Sequence, residues 1–185
     1  MTQTNRRALL SGAAATFALS ACGNGIGSSG GATIDARADA ALNFLDTNFP
    51  GTRDLRDKAV GMLVMPLITE ASFGVGGTFG RGALRVNDVT VDYYSAAQAS
   101  IGFQIGAQQF AHVLYFMTEE ALADFRTSSG YAAGADVKYA LNDQGGNLST
   151  DTTTILSPVI AVVFGQAGLI AGASLEGTKY TRIIP

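Results

Sequence analysis

The chain has a single cysteine, a single histidine and little charge: 15% of its 185 residues are Asp, Glu, Lys or Arg, against 47% hydrophobic. One histidine and one cysteine, His112 and Cys22, cannot assemble the ligand set of a zinc centre, so no metal or cofactor is expected. The formal net charge is −3, and an acidic balance argues against an electrostatic grip on nucleic acid. A chain of this length and apolar content describes one domain with a sizeable buried core, and leaves no room for a second. The apolar stretch at the N-terminus, Ala8 to Ala21, is also short. As a helix rising about 1.5 Å per residue it falls well short of the roughly 30 Å hydrocarbon core of a bilayer, so it is not a stable membrane span.

That stretch follows Asn5-Arg6-Arg7 and is broken only by Gly12 and small polar residues. A basic start before a short apolar segment is the anatomy of an export signal. The arginine pair with Leu9-Leu10 behind it resembles a twin-arginine signal, and the ordinary secretory route stays open. The segment ends in Leu19-Ser20-Ala21-Cys22, which resembles the lipobox of bacterial lipoproteins. The resemblance implies cleavage before Cys22 and lipidation of its thiol; a chance buried cysteine in an uncleaved helix is the alternative. Lipoprotein processing leaves two or three acyl chains, palmitate among them, and two chains anchor a protein stably at about 0.8 kcal/mol per buried methylene. No Asp follows the cysteine, which favours a periplasm-facing place on the outer membrane over the inner one.

Residues 1–21 hold Arg6, Arg7 and no acid, so their removal takes the charge from −3 to −5. Gly23 to Ala32 is rich in Gly and Ser and carries no charge, the composition of a flexible tether. The organisation read from this is a cleaved signal at 1–21, a lipidated tether at 22–33 and one domain over 34–185.

Within the domain, Ile34, Ala38, Ala41, Leu42, Leu45 and Phe49 fall at spacings of three and four, predicting an amphipathic helix that Pro50-Gly51 stops. Thr52 is placed to cap a short second helix through Lys58. Period two then takes over, with Met62, Val64 and Pro66 alternating with Leu63, Met65 and Leu67 in a strand apolar on both faces. Strands are also expected at Phe73–Leu84, from Ile101, at Phe110–Met117, and at about Ala135–Leu141, Thr153–Phe164 and Gly168–Ile184. A polar loop, Asn142 to Asp151, and a tight turn at Gly165-Gln166-Ala167 separate the last three. Thr118 with Glu119 and Glu120 behind it reads as the cap and first turn of a third helix, ending near Arg126.

Glycine is abundant, and its placement is patterned. In 73–84, Phe73, Val75 and Phe79 point one way while Gly74, Gly76, Gly80 and Gly82 point the other; Gly102 and Gly106 repeat the device opposite Ile101, Phe103, Ile105 and Ala107. Interior glycines weaken a strand by about 0.5–1 kcal/mol each, so this many point to close backbone approach, strong curvature or a helix on the bare face. A ligand groove is the other reading. The expected fold is α+β, a strongly curved, mainly antiparallel and barrel-like β-sheet with a few packed helices.

Four blocks in order resemble the SYLF-domain family of bacterial envelope lipoproteins and eukaryotic membrane-trafficking proteins. They are Ala59 to Pro66, Phe73 to Gly77, Gly102 to Ala107, and Gly168-Leu169-Ile170-Ala171-Gly172-Ala173-Ser174-Leu175-Glu176-Gly177. The resemblance spans Ile34 to the C-terminus. It implies a domain that binds membrane lipids, phosphoinositide headgroups in eukaryotic members, some of which also contact actin filaments. The family often carries a basic residue in the first block and another before the glycine strand, where this chain has Val60 and Glu70. Arg53, Arg56 and Lys58, with Lys179 and Arg182 as a second group, are the cations that could meet an anionic headgroup; a solvated surface accounts for them without a ligand.

Catalytic constellations are scarce. His112 shares a strand face with Phe110, Leu114 and Phe116, the setting of a core histidine. Gly74 to Gly80 lacks the Lys-Ser/Thr of a phosphate-binding loop and opens no helix. Asn142 to Asn147 lacks the alternating acids and terminal glutamate of a calcium loop. Asp136, Asp151 and Glu176 are scattered acids whose convergence a sequence does not show. The expectation is a non-catalytic, membrane-anchored envelope lipoprotein whose domain binds lipid. The alternative is an envelope protein whose sheet surface meets a protein partner.

Overall fold

The computed structural model describes residues 28–134, 137–139, 157–165, 168–170 and 175–185, with the backbone alone at 72–75, 100–107, 138–139 and 168–169. Cys22, Asp136, Asp151 and the loop 142–151 lie outside the described residues. These residues form three helices, α1 (Gly30–Asn48), α2 (Gly51–Lys58) and α3 (Glu119–Thr127), and seven strands. The strands are β1 (Gly61–Val86), β2 (Val89–Phe116), β3 (Tyr131–Ala132), β4 (Val137–Tyr139), β5 (Val159–Gly165), β6 (Gly168–Leu169) and β7 (Lys179–Ile183).

α1 ends where Phe49 and Pro50 stop it, and it buries the predicted stripe Ile34, Ala38, Ala41, Leu42 and Leu45. It begins earlier than the stripe does, taking in Gly30, Gly31 and Ala32, which composition alone assigns to a tether. Tertiary contact supplies the reason. The Ser28 hydroxyl donates to the Pro185 carbonyl at 2.9 Å, and Gly31 lies against the Tyr93 phenol. α2 ends at Lys58 as expected, but Thr52 is not its cap: Pro50 holds that position, and the buried Thr52 hydroxyl donates to the Phe49 carbonyl at 2.8 Å. α3 follows the expectation closely, since the Thr118 hydroxyl accepts from the Ala121 N–H at 3.2 Å.

The separate strands expected over 62–117 are one hairpin of two very long strands. β1 and β2 pair antiparallel from Gly61↔Phe116 to Val86↔Val89, through a turn in which Asn87 and Asp88 have φ of 51° and 63°. Both central residues are left-handed, the geometry of the tight hairpin turn that matches strand twist. The first arm of β2 pairs with β7 and the second with β5, giving the order β3-β7-β2-β5-β4, with β1 on β2 and β6 on β5. All pairings are antiparallel except β4 with β5. The stretch expected as one strand at 168–184 is split into β6 and β7, with Gly177 between them at a φ of 80°.

The ribbon coils so tightly that β1 returns onto itself. A Cβ built on Gly80 would overlap Leu67 and Ile68, and one on Gly82 would overlap the Val64 carbonyl and the Met65 sulfur. The two arms of one strand therefore touch backbone to backbone, which is what the glycine periodicity provides. Curling separates two cores. Inside the curl, Leu63, Met65, Leu84, Leu114 and Phe116 pack with Leu122 and Phe125 of α3, Leu175 and Tyr180. On the outer face, Met62, Val64, Ala83, Val113, Tyr115 and Val162 receive the stripe of α1. The fold is α+β with a strongly curved, barrel-like sheet, as the sequence indicates.

Candidate functional site

α1 is held to the sheet by polar contacts along one flank. Asp35 accepts from the Thr90 hydroxyl and the Tyr93 phenol, each at 2.8 Å. Arg85, itself buried, pairs with Asp39 at 2.7 Å. Burial, and then the bond to Asp35, push the Tyr93 phenol above its usual range.

The other flank of α1 stands off the sheet. Pro66 has no N–H to give to the ladder, and the register shifts there: Met65 faces His112 and Ile68 faces Phe110, so Pro66 and Leu67 together oppose Ala111. This bulge leaves a groove of about 600 Å³ between α1 and the ribbon. Ala40, Ala41 and Phe44 form its wall, Phe110 and Ala111 its floor, and Phe164 its far end, stacked on Phe44 at 5.8 Å between centroids. A second hollow of about 350 Å³ shares Arg37, Pro66 and Leu67 with the first, and it extends past Thr33 and Thr69 to Arg81 and the exposed Phe79. The two run into each other. Among the described residues their lining holds two arginines, Arg37 and Arg81, and no acid, in a chain whose net charge is −3. An apolar trough with a cationic end suits an anionic amphiphile.

The cations singled out in the sequence lie elsewhere. On α2, Arg56 bridges Asp46 at 3.1 Å and Asp88 at 2.6 Å, and Arg53 donates to the Asp46 carbonyl at 3.0 Å. The Asp88 contact, strongest of these, holds the Arg56 guanidinium above its usual range. Lys58 is exposed at the end of α2. On β7, Arg182 pairs with Asp92 at 2.8 Å, and Arg126 of α3 grips the same carboxylate at 3.2 Å. Lys179 is exposed, with its chain against Gly130. The structure thus brings Arg53 and Arg56 together on Asp46 and separates them from the β7 pair, and none of the five lines the groove. Sequence reasoning passed over Arg37 and Arg81. The available signals were a second helical row, Thr33, Arg37, Ala40 and Phe44, beside the buried stripe, and a proline inside a strand.

His112 is buried beside the rings of Phe110 and Tyr180, and its Nε2 bonds the Tyr180 hydroxyl at 2.8 Å. Burial lowers its pKa to about 3, so the ring is neutral at physiological pH. Its Nδ1 has no hydrogen-bond partner among the described residues. Among the described residues no acid lies in hydrogen-bond contact with the ring, so the pair does not resemble a general base with its orienting group. Of the scattered acids, Glu176 is described, and its carbonyl accepts from the Gln98 amide at 2.8 Å.

The family model Ysc84, described as Las17-binding protein actin regulator, matches residues 97–182. This stretch matches the SYLF family. It is shorter than the span of the four sequence blocks, since the first two precede it. The match takes in the second arm of β2, α3 and β5 to most of β7, whereas α1, α2 and β1 lie upstream. The SYLF stretch therefore supplies the floor and far end of the groove, and the upstream residues supply its wall and both arginines. No curated protein matches the chain. Among the described residues no helix is long and apolar enough to cross a membrane.

Proposed function

We propose that this chain is a bacterial envelope lipoprotein, anchored through acylated Cys22, whose SYLF domain binds membrane lipid without catalysing a reaction. The observation that carries the lipid-binding part is the groove beside α1, apolar along its length and cationic at one end. The lipobox Leu19 to Cys22 supports the anchor, and the absence of Asp after Cys22 supports the outer membrane. Las17 binding and actin regulation belong to the family description and are not carried over to a chain with a bacterial lipobox.

Vesicle flotation tests the reading. The chain from Ser28 to Pro185, which lacks Cys22 and everything upstream, is floated with neutral, anionic and phosphoinositide-containing liposomes at two salt concentrations. Binding without the acyl anchor is expected, strongest on anionic vesicles and weakened by salt, because surface charges are screened beyond about 8 Å at physiological ionic strength. Failure to float with any vesicle sinks the lipid-binding reading, leaves Cys22 as the membrane contact and turns attention to a protein partner.

A further inference from the structure

The groove has a polarity and a length, and together they name a ligand class. Along α1 its lining runs from Thr33 to Phe44, eleven steps of about 1.5 Å or roughly 16 Å, of which the stretch from Arg37 to Phe44 takes roughly 10 Å. An extended chain advances about 3.3–3.6 Å for every three bonds, so the stretch from Arg37 to Phe44 takes roughly 9 bonds. The groove is bounded by one helix flank and one bulged ribbon, and its volume of about 600 Å³ lies within the usual range for a small-molecule site. Arg37 stands where the two hollows meet and Arg81 in the one toward Thr33; at the Phe44 end the lining is aromatic and aliphatic. Arg37 is exposed and makes no ion pair or hydrogen bond among the described residues, so its guanidinium is available to an incoming anion.

We propose that this groove takes the extended acyl chain of a fatty acid, its carboxylate at Arg37 on the side of Arg81 and its tail over Pro66 and Leu67 toward Phe44 and Phe164. The inference rests on the lipid-binding reading and narrows it from a membrane surface to a single chain withdrawn into the protein. Guanidinium and carboxylate match as a planar fork, which favours a carboxylate over a choline headgroup at the same place.

The chain contains no tryptophan, so an introduced indole reports from one place only. In the full chain carrying Cys22→Ala, Phe44→Trp places that reporter at the apolar end of the groove. Gln109→Trp, at an exposed lining position, is a second reporter should the first disturb folding, and Val89→Trp at the exposed hairpin end is the control. Dibromostearate quenches an indole on contact. Saturable quenching of the two groove reporters is expected, with the control unquenched at the same concentrations. Added to a groove reporter, Arg37→Glu is expected to raise the half-quenching concentration about tenfold, and Arg37→Lys by much less.

Equal quenching at all three positions overturns the proposal, as does indifference to Arg37→Glu or equal binding of the methyl ester. Tighter quenching by a brominated two-chain phospholipid overturns the single-chain assignment. Flotation of the same variants keeps the two readings apart: unquenched groove reporters on a chain that still floats defeat the fatty-acid site alone, whereas loss of both defeats the lipid-binding reading with it.

Discussion

Lowering the pH from 8 to 5 is expected to destabilise this protein by about 2 kcal/mol through one residue, His112. The ring is fully buried and its pKa falls to about 3, against about 6.5 in an unfolded chain. A folded-state pKa below the unfolded one means that the unfolded chain takes up a proton the native state refuses. Stability is then complete above pH 6.5 and falls between there and pH 3, with a limiting slope of about 1.4 kcal/mol per pH unit. At pH 5 linkage gives about 2 kcal/mol, and a domain of this size loses roughly 2–4 °C of Tm per kcal/mol, so a drop of about 4–8 °C is expected. The assay is urea unfolding of the chain from Ser28 to Pro185 at pH 8, 6.5, 5.75 and 5. This window lies above the range in which carboxylates of model peptides titrate, and the chain has no other histidine. His112→Gln keeps a hydrogen-bonding group for the Tyr180 hydroxyl and removes the titration, so its profile should be flat over the same range. A flat wild-type profile, or an equal slope in the variant, would refute the buried neutral histidine.

Gly82→Ala should cost about 1–3 kcal/mol, the usual range for overpacking, because the added methyl meets the Val64 carbonyl, which cannot turn away as the Met65 side chain beside it can; a urea midpoint equal to or above wild type would show that the arms of β1 are not in contact. Asp92→Asn should cost about 1–3 kcal/mol, since the carboxylate is only 4% exposed, yet its arginines are 44% and 65% exposed and can rehydrate. Arg182→Ala should cost less than 1 kcal/mol on the same assay, and the reverse order of these two variants would contradict the account.

What the sequence announced was local chemistry with a period or a cap. The stripe from Ile34 to Leu45, the Thr118 cap and the two-faced alternation of Met62 to Met65 each specify an element through neighbours a few residues away. The alternating glycines conveyed curvature for the same reason. What escaped was set by distant contacts. Nothing near Gly30 favours a helix, which forms there because Ser28 meets Pro185 and Gly31 meets Tyr93. The first arm of β2 lacks a clean alternation because Asp92 is buried between two arginines that arrive from α3 and β7. Its turn, Asn87-Asp88, was passed over in the sequence, although the pair suits left-handed backbone. Charge alone directed attention to Arg53, Arg56 and Arg182, each of which has an acidic partner or its backbone at hand. Arg37 differs from them only through the bulge at Pro66, which turns the flank of α1 beside it into the wall of a trough.

That bulge also separates recognition from stability. The residues that fix the fold, Leu63, Met65, Leu114, Phe116 and Phe125, lie within the curl, and α1 is secured on its far flank through Asp35 and Asp39. Arg37 and Ala40 are exposed and belong to neither core. Substitutions on that flank can therefore alter the groove with little effect on folding, in contrast to Gly82 or His112. Since Phe110, Ala111 and Phe164 come from the SYLF stretch and the wall comes from upstream of it, the same curled sheet can present a differently lined trough wherever the preceding helix differs. On the proposed reading ligand preference resides in α1, and exchanging Thr33, Arg37 and Ala40 is the smallest change that should move it.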